Sequence, residues 1–234
     1  GTCSMLTSQL PSPMSCLLQH DAKQRLRRRL RRWYRHNGRV LPWRLASTGA
    51  YVQVVSEVLL QRTRAETVAG ILPAFLEHYP SWHALSEARG EELEQFLVPI
   101  GLWRRRARSL LALARKLASE GFVFPLGERE LLGWPAVGPY VAAAVRVFVH
   151  GKPAALIDEG VARLLGRAYE CRTRVDIRAD KALRELAEGI CAGPNSRELN
   201  WAVLDVVAKH CRPRVPSCDG CPFAVDCMYI RKAK

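Results

Sequence analysis

The sequence predicts an all-α protein folded as two helical lobes. Apolar residues recur at helical spacing almost end to end, period-2 alternation is nearly absent, and neither strand–helix alternation nor a fixed-period repeat appears. Residues 1–21, rich in Ser, Pro, Gln and Thr, read as a loose tail. Residues 22–36 form a basic helix ending at "HNG", and 38–49 are a loop punctuated by Pro42 and Gly49. "YVQVVSEVLLQRT" opens a helix at Tyr51, and another runs from about Arg64 to His78. Shorter helices are expected at 81–87 and 90–98. "GLWRRRARSLLALARKLASEG" is an amphipathic helix stopped by Gly121. Helices at 128–134 and 139–150 flank "PAVG", the second opening on Pro139, a favoured first-turn residue. A helix at about 158–168 follows the loop "GKPAALI". "DIRADKALRELAEGIC" and "RELNWAVLDVVAKHC" are the last long helices, before a Cys- and Pro-rich end. The expected division is a central lobe of residues 51–168 and a second lobe of 22–50 plus 169–234.

The 234 residues are enough for one sizeable domain or two small packed ones, and 48% apolar content is that of an ordinary globular protein. No run approaches the ~18 apolar residues of a membrane span. The first twenty residues lack a basic region followed by a continuous apolar stretch. No membrane partner is therefore expected, and the location expected is intracellular. Lys and Arg number 36 against 22 acids, a formal charge of +14. Such a surplus suits a polyanion, because each phosphate contact releases counterions. A merely basic, solvated surface would look similar in bulk, but "RLRRRLRRWYR" (Arg25–Arg35) and "WRRRAR" (Trp103–Arg108) do not mix signs as such faces usually do. Arginine also matches phosphate in a bidentate way that lysine does not.

Four of the eight cysteines fall in "CRPRVPSCDGCPFAVDC" as Cys211, Cys218, Cys221 and Cys227, spaced C-x6-C-x2-C-x5-C. Clustering in a short loop argues for metal ligation over disulfides. Four thiolates suit either zinc or an iron–sulfur cluster, although zinc ribbons usually repeat C-x2-C.

That spacing, after a helix like "LNWAVLDVVAKHC", resembles the cluster loop of the helix-hairpin-helix DNA glycosylases, the superfamily of endonuclease III, the MutY-type adenine glycosylases and the thymine/guanine mismatch glycosylases. The resemblance covers about residues 25–230 and implies a 4Fe-4S cluster on the loop 211–227, pinning the end of the chain and presenting Arg212 and Arg214 to phosphate. The superfamily's hairpin, L-P-G-V-G, corresponds to "WPAVG" (Trp134–Gly138). Independently of any family, Gly138 would permit a tight turn, and the amides after it would offer a phosphate site at a helix N-terminus. An αα-hairpin of any function needs such a turn too. Val137, Gly138 and Pro139 are thus candidate DNA-binding residues.

"IDEGVAR" (Ile157–Arg163) resembles the V-D-x-N/H-V-x-R element. The resemblance makes Asp158 the catalytic carboxylate and Arg163 a DNA-binding residue. Breaking a nucleoside C–N bond builds positive charge on the sugar, which a nearby anion stabilises. Asp158 would also make an ordinary helix N-cap, and the two roles are compatible.

Three further positions separate the branches. Endonuclease III-type lyases carry a Lys two residues after the hairpin's last Gly; here it is Tyr140, which cannot form a Schiff base. The thymine/guanine enzymes have Tyr there. "SEVLLQRT" (Ser56–Thr63) resembles "SEVMLQQT" of adenine glycosylases and "TEILLRRT" of thymine/guanine enzymes, which makes Glu57 a pocket acid able to hydrogen-bond an extruded base, or protonate it if burial raises its pKa. Gln61-Arg62-Thr63 then falls at the wedge position, which makes Gln61 and Arg62 candidate DNA-binding residues, and Arg62, with Leu102 and Trp103, would fill the gap left by a flipped nucleotide. "GRVLPWR" (Gly38–Arg44) is shared by both branches. Three departures stand out: Ala136 for the first hairpin Gly, Val141 for the usual Thr, and Gly160 for the usual Asn or His.

The resemblance therefore implies a monomeric, monofunctional glycosylase acting on double-stranded DNA with a mismatched or damaged base, thymine or uracil opposite guanine first. Adenine opposite guanine or 8-oxoguanine is the alternative, and a non-catalytic lesion-binding protein of the same fold is a third. The active cleft is expected between the lobes, with Asp158 facing Tyr140 and Glu57. The resemblance implies an intracellular setting, nucleoid or nuclear.

Overall fold

The computed structural model describes residues 18–171 and 174–233. Most of the expected tail, with Cys3 and Cys16, lies outside the described residues, whereas His20 and Asp21 already belong to the first helix. Among the described residues there are twelve α-helices and no strand, and no helix is long and apolar enough to cross a membrane.

The chain divides into two compact units. One is Arg39–Leu156; the other joins the described residues through Gly38 to those from Ile157 onward. The loop 39–49 thus groups with the central helices, and the helix after Asp158 with the C-terminal ones. Burial explains both. Leu41 and Trp43 of the "LPWR" turn are buried, and that turn packs on the helix opening at Ala50. Val161, Ala162, Leu164 and Leu165 are likewise buried within the C-terminal set.

The Arg39–Leu156 unit holds α2 (Ala50–Leu59), α3 (Ala65–His78), α4 (Trp82–Ser86), α5 (Gly90–Leu97), α6 (Trp103–Ser119), α7 (Glu128–Leu132) and α8 (Pro139–Phe148). Its core is aliphatic, with Val54, Leu59, Leu72, Leu97, Leu110, Leu113 and Val145 all removed from solvent. The amphipathic α6 ends as its sequence implies, with Gly121 at φ 64° and the Phe122 N–H returning to Leu117 O at 2.8 Å.

The other unit holds α1 (His20–Asn37), α9 (Glu159–Tyr169), α10 (Lys181–Cys191), α11 (Ser196–Lys209) and α12 (Met228–Lys232). The expected helix from Asp176 breaks at Asp180, whose Oδ1 accepts the Leu183 N–H at 3.1 Å and restarts the chain as α10. Leu26 and Leu30 bury α1, which packs on α10 and α11. Much of the basic run on α1 is fastening. Arg27 donates to Ile190 O at 3.1 Å and to Gly189 O; Arg29 donates to Pro222 O at 3.1 Å and pairs with Asp226; Arg31 Nε reaches Glu198 Oε2 at 2.8 Å. Arg25, Arg28, Arg32 and Arg35 are exposed, at a spacing that puts them on one face.

The hairpin between α7 and α8 departs from its expected mechanics. Gly138 is extended, at φ −90° and ψ −178°, so it does not supply the left-handed turn. That conformation falls to Ala136, at φ 61°. A Cβ on Gly138 would meet nothing within 4 Å, so the glycine leaves open space beside the first turn of α8. Trp134 and Val137 anchor the loop in the core, with the Val137 N–H on Trp134 O at 3.2 Å. A left-handed non-glycine residue costs ~1–2 kcal/mol, partly offset in a glycine variant by greater unfolded-state entropy. Ala136→Gly is therefore expected to raise stability by about 0.5–1 kcal/mol, read as a higher denaturant midpoint at unchanged slope. A lower midpoint would mean that the loop holds no such strain.

Candidate functional site

In the Arg39–Leu156 unit, α2 and α8 pack together and bring two predicted residues into contact. Glu57, in the last turn of α2, is 1% exposed. Tyr140, the second residue of α8, donates its hydroxyl to Glu57 Oε2 at 2.7 Å. A carboxyl group in such a place needs polar partners, because leaving it unmatched costs several kcal/mol. Gln53 and Ser56 lie on the same buried stretch of α2, so three polar side chains occupy little more than one turn. Ser56 belongs to the "SEVLLQRT" match. Gln53 was not anticipated, since nothing in its local pattern sets it apart from an exposed glutamine. Val141, in place of the usual Thr, points into the core at 1% exposed.

The two candidate gap-filling loops belong to the same unit. α2 ends in a turn in which the Thr63 N–H meets Leu60 O at 3.0 Å, with Gln61 and Arg62 exposed. Leu102, 49% exposed, precedes α6, and the Arg104 guanidinium lies 5.2 Å from the centre of the Trp103 ring. Arg62 and Leu102 both have positive φ, at 60° and 50°. With Ala136, three of the five non-glycine residues at positive φ among the described residues lie in the three segments singled out for DNA. Sparsely populated backbone of this kind concentrates at functional sites.

In the other unit, Asp158 is the N-cap of α9 and is exposed. Its Oδ1 accepts the Val161 N–H at 2.7 Å. The side chain is thereby fixed at the positive end of a helix dipole, where a negative charge is favoured. Gly160 next to it is buried. A Cβ there would lie 2.5 Å from Val207 Cγ1 and 3.1 Å from Asp158 Oδ1. The space that an Asn or His side chain would take is thus filled by a valine of α11. Arg163 donates twice to Cys211 O, at 3.0 and 2.8 Å, so its guanidinium ties α9 to the cysteine segment.

Cys211, Cys218, Cys221 and Cys227 form no disulfide and line one cavity, part of it open to solvent, with Leu164, Pro216, Phe223 and Ile230 as apolar walls. Arg167 braces its rim, donating to Arg212 O at 2.7 Å and Pro213 O at 2.8 Å and lying 3.5 Å from Cys211 Sγ. Burial pushes the Cys221 thiol up to about 11, and burial, then the neighbouring Cys227 and Cys211, raise Cys218. Thiolates there call for a compensating cation. Among the described residues, no three His, Cys, Asp or Glu side chains are grouped to hold a single metal ion. Four cysteine sulfurs lining one cavity are a donor set that suits zinc or an iron–sulfur cluster. Arg212 and Arg214 are exposed beside it.

Comparison with known proteins gives a consistent answer. The profile of the HhH-GPD superfamily base excision DNA repair protein matches residues 55–191. The chain is 33% identical over 209 residues to the thymine-DNA glycosylase of Aeropyrum pernix, covering 87% of this chain and 93% of that protein. It is 31% identical to human adenine DNA glycosylase, covering 86% of this chain and 39% of that longer protein. A solved thermostable thymine-DNA glycosylase superposes with a TM-score of 0.80 at 31% identity, over 90% of this chain and 97% of that one. A trapped endonuclease III–DNA covalent intermediate shares the fold, with a TM-score of 0.75 at 22% identity, over 93% of this chain and 99% of that one. This chain belongs to the helix-hairpin-helix (HhH-GPD) superfamily of base excision DNA repair proteins.

Proposed function

We propose that this DNA glycosylase hydrolyses the N-glycosidic bond of thymine or uracil opposite guanine in duplex DNA, without strand cleavage. One observation carries the choice: Tyr140, the residue of the thymine/guanine pattern, is hydrogen-bonded to Glu57 in a chain 33% identical to a thymine-DNA glycosylase. A phenol has no amine with which to form a Schiff base, so the attacking group is water. As the C1′–N bond breaks, its electron pair leaves with the base and positive charge grows on the sugar. Asp158 stabilises that charge with the oxygen not used in capping and takes the proton of the attacking water. The exposure of Asp158 supports this role. Glu57 and Tyr140 form a paired polar group for the everted base. The similarity to human adenine DNA glycosylase favours adenine opposite guanine or 8-oxoguanine as the second reading.

The cysteine site is proposed to hold a 4Fe-4S cluster through Cys211, Cys218, Cys221 and Cys227. When bound, it supplies thiolate-neutralising charge and a structural pin. Arg163 and Arg167, both tied to this segment, transmit that order to α9.

A single-turnover assay on T·G, U·G, A·G and A·8-oxoguanine duplexes, read with and without alkali, tests the activity. Release of thymine or uracil, with strand breaks only after alkali, is expected. Release of adenine alone would move the assignment to the second reading, and tight binding without release would make the protein a lesion binder. Asp158→Asn is expected to slow release on the order of 100-fold with little change in duplex affinity. Near-full release by that variant would remove Asp158 from the mechanism.

The fit around Gly160 gives a second expectation. Gly160→Asn restores the superfamily's side chain against Val207 and should cost ~1–3 kcal/mol of stability by overpacking. Adding Val207→Ala should recover most of that loss in a double-mutant cycle of denaturant midpoints. For the cysteines, purified protein should carry iron and inorganic sulfide in equal amounts, and Cys218→Ser should lower both together. Zinc in their place would refute the cluster.

A further inference from the structure

Arg62 and Leu102 stand on separate exposed loops, and each holds a backbone conformation that its own side chain disfavours. Surrounding contacts must impose such conformations. One residue reaches both loops. The Arg106 N–H donates to Leu102 O at 3.0 Å, in the first turn of α6. Its guanidinium crosses to the other loop, where Nη1 donates to Leu59 O at 3.2 Å and Nη2 donates to Gln61 O and to Thr63 Oγ1, both at 2.6 Å. These three acceptors bracket Arg62. Arg106 is 5% exposed, in contrast to Arg104, Arg105 and Arg108 on the same helix. A buried guanidinium is costly unless its donors are well matched, and a planar fork can match acceptors on one turn in a way that an ammonium cannot.

We infer that Arg106 is a positioning residue for lesion recognition, holding the Gln61–Arg62 turn and the Leu102 loop at a fixed separation so that both enter the duplex together. It touches the loops and not the substrate. The inference rests on the base-flipping reading proposed above. It also gives a purpose to the one arginine of "WRRRAR" that is withdrawn from solvent. The loops fill the gap left by the everted nucleotide, so their spacing matters most when a paired base must be pulled from the stack.

The test compares Thr63→Val, which deletes one acceptor, Thr63→Ser, which keeps it, and Arg106→Lys, which keeps charge but loses the fork. Eversion is read from the fluorescence of 2-aminopurine placed beside the target thymine of a T·G duplex. Release is timed on that duplex and on one whose thymine sits unpaired in a bulge. Thr63→Val and Arg106→Lys should each reduce eversion and T·G release about tenfold, while bulge release stays within about twofold of wild type, since only the loss of a charge-assisted bond at the wedge is involved. Thr63→Ser should behave like the wild type. Unchanged eversion in Thr63→Val, or an equal loss on paired and bulged thymine, would overturn the positioning role. If the wild type everts the base but releases none, the proposed activity fails while the eversion comparison still decides the role of Arg106. A wild type that everts nothing overturns both.

Discussion

Asp158 accepts the Val161 N–H at the start of α9, and that bond sets what the rest of its unit must do. One oxygen holds the side chain in place and the other takes no part in the cap, with the charge favoured by the first turn of the helix. The cap is only as steady as the helix behind it. α9 is buried along one face, its neighbour Gly160 is closed off by Val207, and its arginines grip the carbonyls of the cysteine segment. The cysteine loop therefore matters to the acid through ordinary hydrogen bonds, some of them to groups within a few residues of the thiols.

The Arg39–Leu156 unit carries polar groups inside an aliphatic bundle, and two of them are held by contacts across it. Glu57 is matched by Tyr140, and Arg106 by two carbonyls and a hydroxyl. Each match joins two segments distant in sequence, so the polar contacts that make burial tolerable also fix the geometry of the loops. Strain collects where this bracing is strongest, at Arg62 and Leu102, and again at Ala136 in the hairpin.

The charge of the protein is partly structural. Of the arginines on α1, Arg27, Arg29 and Arg31 fasten the helix to α10, α11 and the cysteine loop, while Arg25, Arg28, Arg32 and Arg35 remain outside. A count of basic residues is thus a poor measure of the surface available to phosphate. Arg106, from the basic run "WRRRAR", and Arg163, expected to bind DNA, make the same point elsewhere, since both are engaged with backbone carbonyls.

Much of this was legible in the residues themselves. Helical periodicity marked α2, α6 and α11, Pro139 and Asp158 marked the starts of α8 and α9, and the cysteine spacing marked the loop, because these signals depend on local geometry that a short stretch encodes. The break at Asp180, the transfer of left-handed backbone from Gly138 to Ala136, and the collision that keeps position 160 a glycine were not legible. They depend on which side chains from remote segments arrive at the same place. The sequence alone determined the helices, the family and the residues worth watching. Only tertiary structure decided which arginines were spent on carbonyls and which polar groups were buried together, because burial and hydrogen-bond partners are properties of packing and not of order along the chain.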